Sequence, residues 1–117
     1  MIRLLLALMT LASPAIADEG VALPAGFDGV YATEGLVCDS LGRVEIRDGA
    51  MVGAEFAMTV TDLIEVPGDP NKVEVSLSIA GGGGEWTDSA VLTLSGDGQS
   101  LRFDYPDSST VMWSRCG

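Results

Sequence analysis

The sequence contains no histidine. The imidazole is the side chain most often used for proton transfer near neutral pH, and it also ligates most catalytic zinc ions. Its absence excludes Ser-His-Asp triads, Cys-His pairs and histidine-bound zinc. We therefore expect a protein that is not an enzyme, with no catalytic residues, no metal site and no cofactor.

Basic residues are scarce as well. Lysine and arginine together number 6 against 17 aspartates and glutamates, which gives a net charge of −11. A surface of this sign repels phosphate backbones and anionic lipid, so we expect neither nucleic acid nor a membrane surface as a partner. It attracts cationic proteins, and it also keeps a small domain soluble.

A long apolar run is also missing. Residues 4–12 form an apolar segment interrupted by Thr10, whereas a membrane-spanning helix needs about 20 such residues. Arg3 precedes this segment, and Ala15-Ile16-Ala17 follows it with the small-x-small pattern of a signal peptidase site. The pattern predicts a signal peptide at residues 1–17, a single β-domain at residues 18–117 with a net charge of −12, and no membrane insertion after cleavage. The expected location is the periplasm or the cell exterior.

Cysteine occurs only twice, as Cys38 and Cys116. In an oxidising compartment two cysteines in one small domain predict a disulfide. The bridge would close a loop of about 78 residues, which the chain-entropy model associates with about 4 to 5 kcal/mol of stabilisation. A loop of this length requires the two ends of the domain to meet.

The rest of the chain shows apolar residues that alternate with polar ones, as in strands with one buried face. No stretch of ten or more residues after the signal peptide shows helical periodicity. The expected inward positions are Val44, Ile46, Phe56, Met58, Val60, Val73, Val75, Leu77, Ile79, Ala90, Leu92, Leu94, Leu101, Phe103, Tyr105, Val111 and Trp113.

Turn residues separate these runs. Asp48-Gly49 suits a tight hairpin, and we expect further turns at residues 67–71, 96–98 and 106–109, with a short leader at residues 18–24 that buries little. The pattern predicts an all-β fold, a small antiparallel meander of six to eight strands. With the ends tied together, a closed barrel is favoured because it removes the exposed sheet edges, and a two-sheet sandwich is the alternative.

Four consecutive glycines at residues 81–84 are followed by Glu85-Trp86-Thr87-Asp88. No Gly-Lys-Ser/Thr follows the glycines, so a phosphate-binding loop is excluded and a flexible connection or bulge is expected. An aromatic anchor with an acidic rim is typical of an interface with a basic protein, which makes Glu85, Trp86 and Asp88 the candidate binding residues. The alternative is that Trp86 fills one end of the barrel.

Carboxylates supply the remaining chemistry. Glu55, Glu85, Asp88 and Asp104 are the candidates for a carboxylate-based hydrolase, which would need two of them to converge in a cleft. Asp97-Gly98 and Asp69-Pro70-Asn71 contain oxygen ligands for calcium, but they lack the spaced acids of an EF-hand. We interpret both segments as turns.

Two resemblances follow from particular residues. Gly29-Val30-Tyr31 ahead of Cys38 resembles the opening of lipocalin-like barrels, in which Gly-x-Trp begins the first strand. The size, the signal and the ending Trp113-Ser114-Arg115-Cys116-Gly117 resemble the small periplasmic β-barrel inhibitors of Gram-negative bacteria, which act on lysozyme or secreted proteases. The Ser-Gly-x-x-Tyr loop of membrane-type lysozyme inhibitors has no counterpart, because Ser95-Gly96 is not followed by a tyrosine.

These observations predict an exported binding module that recognises a cationic protein such as a lysozyme or a protease, in the manner of an inhibitor. A carrier of a small apolar ligand in the barrel is the alternative, and the carboxylate hydrolase is the third hypothesis.

Overall fold

The computed structural model describes residues 20–33, 35–39 and 41–116, so the predicted signal peptide lies outside the described residues. A short 3₁₀ helix, Ala25–Phe27, precedes eight strands. No helix in these ranges has the length and apolar character that a membrane-spanning helix needs. The strands are β1 (Gly29–Ala32), β2 (Arg43–Arg47), β3 (Ala50–Gly53), β4 (Phe56–Val66), β5 (Asp69–Gly81), β6 (Gly84–Leu94), β7 (Ser100–Asp104) and β8 (Thr110–Arg115).

Each strand pairs antiparallel with the next, and β8 pairs with β1 to close the sheet into a barrel. The predicted meander and its closure are therefore confirmed, and the sandwich alternative is wrong. The predicted disulfide is also present: Cys38 and Cys116 are bonded with a Cα–Cα distance of 5.9 Å. It connects the loop between β1 and β2 to the residue that follows β8.

Side chains that alternate along the strands fill the barrel. In β5 the residues Val73, Val75, Leu77 and Ile79 are buried, and the residues between them are exposed. Val60, Leu92, Leu101 and Phe103 show no exposed surface, and no charged side chain is buried among the described residues. The core therefore follows the alternation in the sequence, as expected for a barrel whose interior is packed with side chains.

The tight turns have the backbone geometry that their residues favour. Asp48 and Gly49 both have positive φ, at 56° and 78°, as a two-residue hairpin turn requires, which confirms that prediction. The glycine run is more regular than expected. Gly82 and Gly83 form a two-residue turn with φ of 59° and 83°, while Gly81 and Gly84 pair as the ends of β5 and β6.

Two local expectations were wrong. The turn predicted at residues 67–71 is only Pro67-Gly68, because Pro70 lies in β5 at a register shift where no ladder hydrogen bond needs its nitrogen. The leader predicted to bury little contributes Leu23, which is only 5% exposed. The main-chain nitrogen of Val21 also donates to the Val60 carbonyl at 2.8 Å, so the segment packs against β4.

Arg115 closes the end of the barrel where β1 begins and β8 ends. Its guanidinium carbon lies 4.8 Å from the centre of the Tyr31 ring. Its nitrogens donate hydrogen bonds to the carbonyls of Gly98 (2.7 Å), Asp28 (3.0 Å) and Gly26 (2.9 Å) and to the Tyr31 hydroxyl (2.8 Å). The Tyr31 hydroxyl in turn donates to the Phe27 carbonyl at 2.8 Å. One side chain thus joins β8, β1, the 3₁₀ helix and the turn between β6 and β7.

Candidate binding site at the barrel mouth

The opposite end of the barrel is open and holds a cleft of about 410 Å³, which we call the mouth cleft. It lies between the β5–β6 hairpin, the start of β4 and the turn that connects β7 to β8. Aromatic and acidic side chains dominate its lining, and no lysine or arginine contributes to it. The lining residues are Thr33, Phe56, Met58, Ile79, Trp86, Asp88, Tyr105, Asp107, Ser109, Val111 and Trp113.

The register of the β5–β6 hairpin determines which side chains face the cleft. Trp86 is paired with Ile79, and Asp88 is paired with Leu77. Directly paired residues project to the same face of a sheet, so Trp86 and Asp88 share the face of two core residues. Trp86 is 51% exposed because it lies beyond the packed interior, at the open end of the barrel.

Closely packed aromatic rings form the floor of the mouth cleft. The ring centres of Trp113 and Phe103 are 4.4 Å apart, and those of Trp113 and Phe56 are 6.2 Å apart, with both pairs of rings tilted. Tyr105 stacks on Phe103 with ring centres 6.2 Å apart. Trp113 is only 3% exposed, so the floor is buried, whereas Trp86 stays accessible.

Two carboxylates give the mouth cleft its charge. Asp107 accepts hydrogen bonds from the nitrogen (2.9 Å) and hydroxyl (2.6 Å) of Ser109, which hold the pKa of its carboxyl below the usual value. Asp88 accepts one from the nitrogen of Ser89 at 2.8 Å. Burial raises the pKa of Tyr105, and the negative charge of Asp88 raises it further. The cleft therefore combines aromatic faces with negative charge, the two features that attract an organic cation.

The candidate residues from the sequence divide between two faces of β6. Trp86 and Asp88 line the mouth cleft, whereas Glu85 pairs with the exposed Ala80 and projects to the outer surface. Tyr105 and Asp107 were not among the candidates for binding. Tyr105 continues the inward alternation of Phe103, which was the one signal that could have placed it here.

The four carboxylates proposed for hydrolysis do not converge. Of these, only Asp88 lines the mouth cleft. Asp104 accepts hydrogen bonds from Arg102 and Thr110, both at 2.9 Å, and lines a separate outer cleft of about 310 Å³. Glu85 is on the opposite face of β6, and Glu55 is exposed in the turn before β4. The geometry of the mouth cleft provides charge but no pair of these candidate acids.

The aspartates of both segments with oxygen ligands accept local hydrogen bonds. Asp97-Gly98 is a turn as expected, whereas Asp69-Pro70-Asn71 forms the start of β5 and not a turn. Asp97 accepts hydrogen bonds from the Ser95 hydroxyl at 2.7 Å and the Gln99 nitrogen at 3.0 Å. Asp69 accepts one from the Asn71 nitrogen at 3.2 Å. Within the described part of the chain, no three histidine, cysteine or acidic side chains are grouped as metal ligands. These aspartates therefore stabilise the local backbone, in the turn after β6 and at the start of β5.

The titration of the two tyrosines provides a first test of the packing. Burial raises the pKa of both Tyr31 and Tyr105 above 10.0. The fold thus favours the neutral phenols, so this contribution to stability is complete below about pH 10 and is lost as the pH rises through the native pKa values. We expect the free energy of unfolding to fall above pH 10, and the phenolate absorbance to appear at higher pH in the native protein than in urea.

Two variants separate the contributions to this titration. Tyr105→Phe should make the alkaline fall in stability shallower, and Asp88→Asn should lower the native Tyr105 pKa without returning it to 10.0. Coincident titration of the native and unfolded protein would contradict the burial of both rings.

Comparison with protein-family models, with curated proteins and with solved structures finds no match to this chain.

Proposed function

We propose that this domain is a non-enzymatic binding module whose mouth cleft receives a cationic side chain from a partner protein. The observation that supports this most is the meeting of Trp86 and Tyr105 with Asp88 and Asp107 in one open cleft. A lysine or arginine has an apolar stem that packs on the rings and a charged head that reaches the carboxylates. The cleft offers a complement to both parts.

The charge of the whole domain favours the same class of partner. With a net charge of −12 after removal of the signal peptide, the domain accelerates its encounter with a basic protein at low ionic strength. A cation over an aromatic face contributes about 0.5 to 2 kcal/mol, depending on how far it is desolvated. Charge would therefore bring the partner to the domain, and the cleft would orient it.

The architecture supports a lipocalin-like or inhibitor-like classification at the level of the fold. Closed eight-stranded up-and-down barrels include the lipocalins, and the first strand here begins at Gly29-Val30-Tyr31. Fold alone does not define activity. We propose a basic enzyme, a lysozyme or a protease, as the partner. The disulfide is consistent with the oxidising environment of the periplasm or cell exterior, where we place the protein.

The carrier hypothesis is less favoured. Val60, Leu92, Leu101 and Phe103 fill the barrel without exposed surface, so an apolar ligand would be limited to the open mouth. The hydrolase hypothesis is also less favoured, because Glu55, Glu85, Asp88 and Asp104 do not meet in one cleft. Asp107 does share the mouth cleft with Asp88, but its hydrogen bonds lower the pKa of its carboxyl, whereas a general acid needs a raised pKa.

Binding can be measured with a tetralysine peptide and with a basic lysozyme, each compared with its lysine-acetylated form. We expect saturable binding that quenches Trp86 fluorescence and weakens as salt is raised. Trp86→Ala and Asp88→Asn should each weaken binding by about tenfold, which corresponds to about 1.4 kcal/mol.

Glu85→Gln is the matched control for Asp88→Asn. It removes the same charge from the same strand but on the outer face, so we expect it to change binding by less than about twofold. Equal losses for the two variants would show that only net charge matters, and binding that is indifferent to Trp86→Ala would refute the mouth cleft as the site.

A further inference from the structure

Among the described strands, one edge of β6 has no partner along seven of its eleven residues. β5 pairs with β6 from Lys72↔Thr93 to Gly81↔Gly84, whereas β7 pairs only with residues 91–94. Among the described strands, residues 84–90 of β6 therefore have a neighbour on the β5 side alone. We call residues 85–89 on the other side the free edge.

Pro106 and the turn around it end the ladder between β6 and β7. Val91 pairs with Asp104, so continuing this register would place Pro106 opposite Ser89. Proline has no N–H to donate to a ladder. The chain also turns away here, since the nitrogen of Ser108 donates to the Tyr105 carbonyl and the nitrogen of Tyr105 donates to the Ser109 carbonyl, both at 3.0 Å. The free edge is thus a consequence of the turn between β7 and β8.

Hairpin geometry indicates which main-chain groups the free edge presents. In a two-residue hairpin the flanking residues, here Gly81 and Gly84, form a hydrogen-bonded pair, and the pattern then alternates. The main-chain N–H and C=O groups of Glu85, Thr87 and Ser89 therefore point away from β5, toward the free edge. A hydrogen bond just after β6 fits the same alternation, because the nitrogen of Ser95, an even number of residues after Glu85, donates toward β7, to the Ser100 carbonyl, at 2.9 Å. The Ser89 nitrogen already donates to Asp88.

We propose that an extended, basic segment of the partner protein adds to β6 as an extra strand along the free edge; this inference rests on the proposed function of the mouth cleft. Residues opposite one another on adjacent strands project to the same face. Every second side chain of the added strand would then lie beside Trp86 and Asp88, within the mouth cleft. Main-chain hydrogen bonds would supply affinity, and the cleft would select lysine or arginine.

Charge distinguishes this partner from a second copy of the chain. Edge-to-edge pairing of two β6 strands would bring the carboxylates of Glu85 and Asp88 close to those of the other copy. Like charges on paired strands are destabilising, and each domain carries a net charge of −12. A segment with alternating lysines complements the same surface.

The test uses an octapeptide that alternates lysine with threonine, and a second version N-methylated at alternate residues so that it cannot pair with the free edge. In the protein, Thr87→Pro removes an N–H that points away from β5, so no existing ladder bond is lost. Thr87→Ala is the matched control. We expect Thr87→Pro and the N-methylation each to weaken binding by about tenfold or more, and Thr87→Ala to change it by less than about threefold.

Amide hydrogen exchange gives an independent readout that does not depend on a variant folding correctly. The peptide should protect the amides of Glu85 and Thr87, and the N-methylated peptide should not. Equal binding of both peptides, still lost in Trp86→Ala, would overturn strand addition while leaving the mouth cleft as a cation site. If neither octapeptide nor tetralysine binds the domain, both proposals are overturned. Self-association that protects the same amides would identify a second copy as the occupant and refute the inference.

Discussion

Replacing Cys38 and Cys116 with alanine is expected to lower the free energy of unfolding by about 4.5 kcal/mol. The bridge spans 78 residues, and the entropy that it removes from the unfolded chain grows with the logarithm of that length. It also reinforces the shortest ladder of the barrel, because β1 and β8 share only the pairs Tyr31↔Arg115 and Ala32↔Ser114. Loss of the bridge therefore weakens the closure of the barrel itself.

Urea denaturation of the oxidised protein, the reduced protein and the double alanine variant measures this effect. The reduced wild type and the variant should unfold at similar urea concentrations. A reductant should not change the urea midpoint of the variant, which controls for other effects of the reagent. A loss below about 1 kcal/mol would mean that the bridge adds little to a barrel already closed by its hydrogen bonds.

The second large effect is expected for Arg115→Ala, which should lower the free energy of unfolding by about 3 kcal/mol. Its guanidinium donates to three carbonyls and one hydroxyl, and it covers the face of Tyr31. Alanine leaves these acceptors without the donor that joins four elements. Hydrogen bonds to a charged group are stronger than neutral ones, but this site is only partly buried, so the effects of the four bonds do not simply add.

Two controls test this explanation for Arg115. Arg115→Lys keeps the charge but loses the planar fork that reaches several carbonyls at once, and it should retain about half of the stabilisation. Arg102→Ala breaks an exposed ion pair with Asp104 at 2.9 Å and should cost less than about 1 kcal/mol. If both arginine-to-alanine variants lose the same stability, the specific network around Arg115 does not account for the effect.

The strands and the barrel could be predicted because their signals are local or topological. Buried strands of one-sided sheets alternate with a period of two, and β5 shows this over four buried residues from Val73 to Ile79. Asp48-Gly49 has the positive φ values that its residues tolerate best. With a single possible cysteine pairing, the two ends of the domain had to meet, which favoured a closed sheet.

Strand lengths could not be predicted, because they depend on partners distant in the sequence. β3, Ala50–Gly53, is too short to show a pattern of its own and exists through its ladders to β2 and β4. Residues 62–66 extend β4 only because β5 lies beside them. Pro70 was interpreted as part of a turn, since the sequence does not reveal a register shift that tolerates proline within a strand.

The candidate site was predictable only where its residues are adjacent in the chain. Trp86 and Asp88 follow the glycine run and share a face because they are two residues apart. Tyr105 and Asp107 belong to another hairpin, and the curvature of the closed barrel brings them to the same cleft. Glu85 was grouped with Trp86 by proximity, whereas the alternation of the strand places it on the outer face.

The pairing of β1 with β8 also has a kinetic consequence. Among the described strands, seven of the eight ladders connect strands that follow one another in the chain, and only the β1–β8 ladder joins the first strand to the last. Contacts of high sequence separation are slow to form because the entropy of loop closure must be met before they become favourable. We therefore expect the seven ladders between consecutive strands to form first and to give a curled open sheet. Pairing of β8 with β1, which closes the barrel, is then the rate-limiting step of folding.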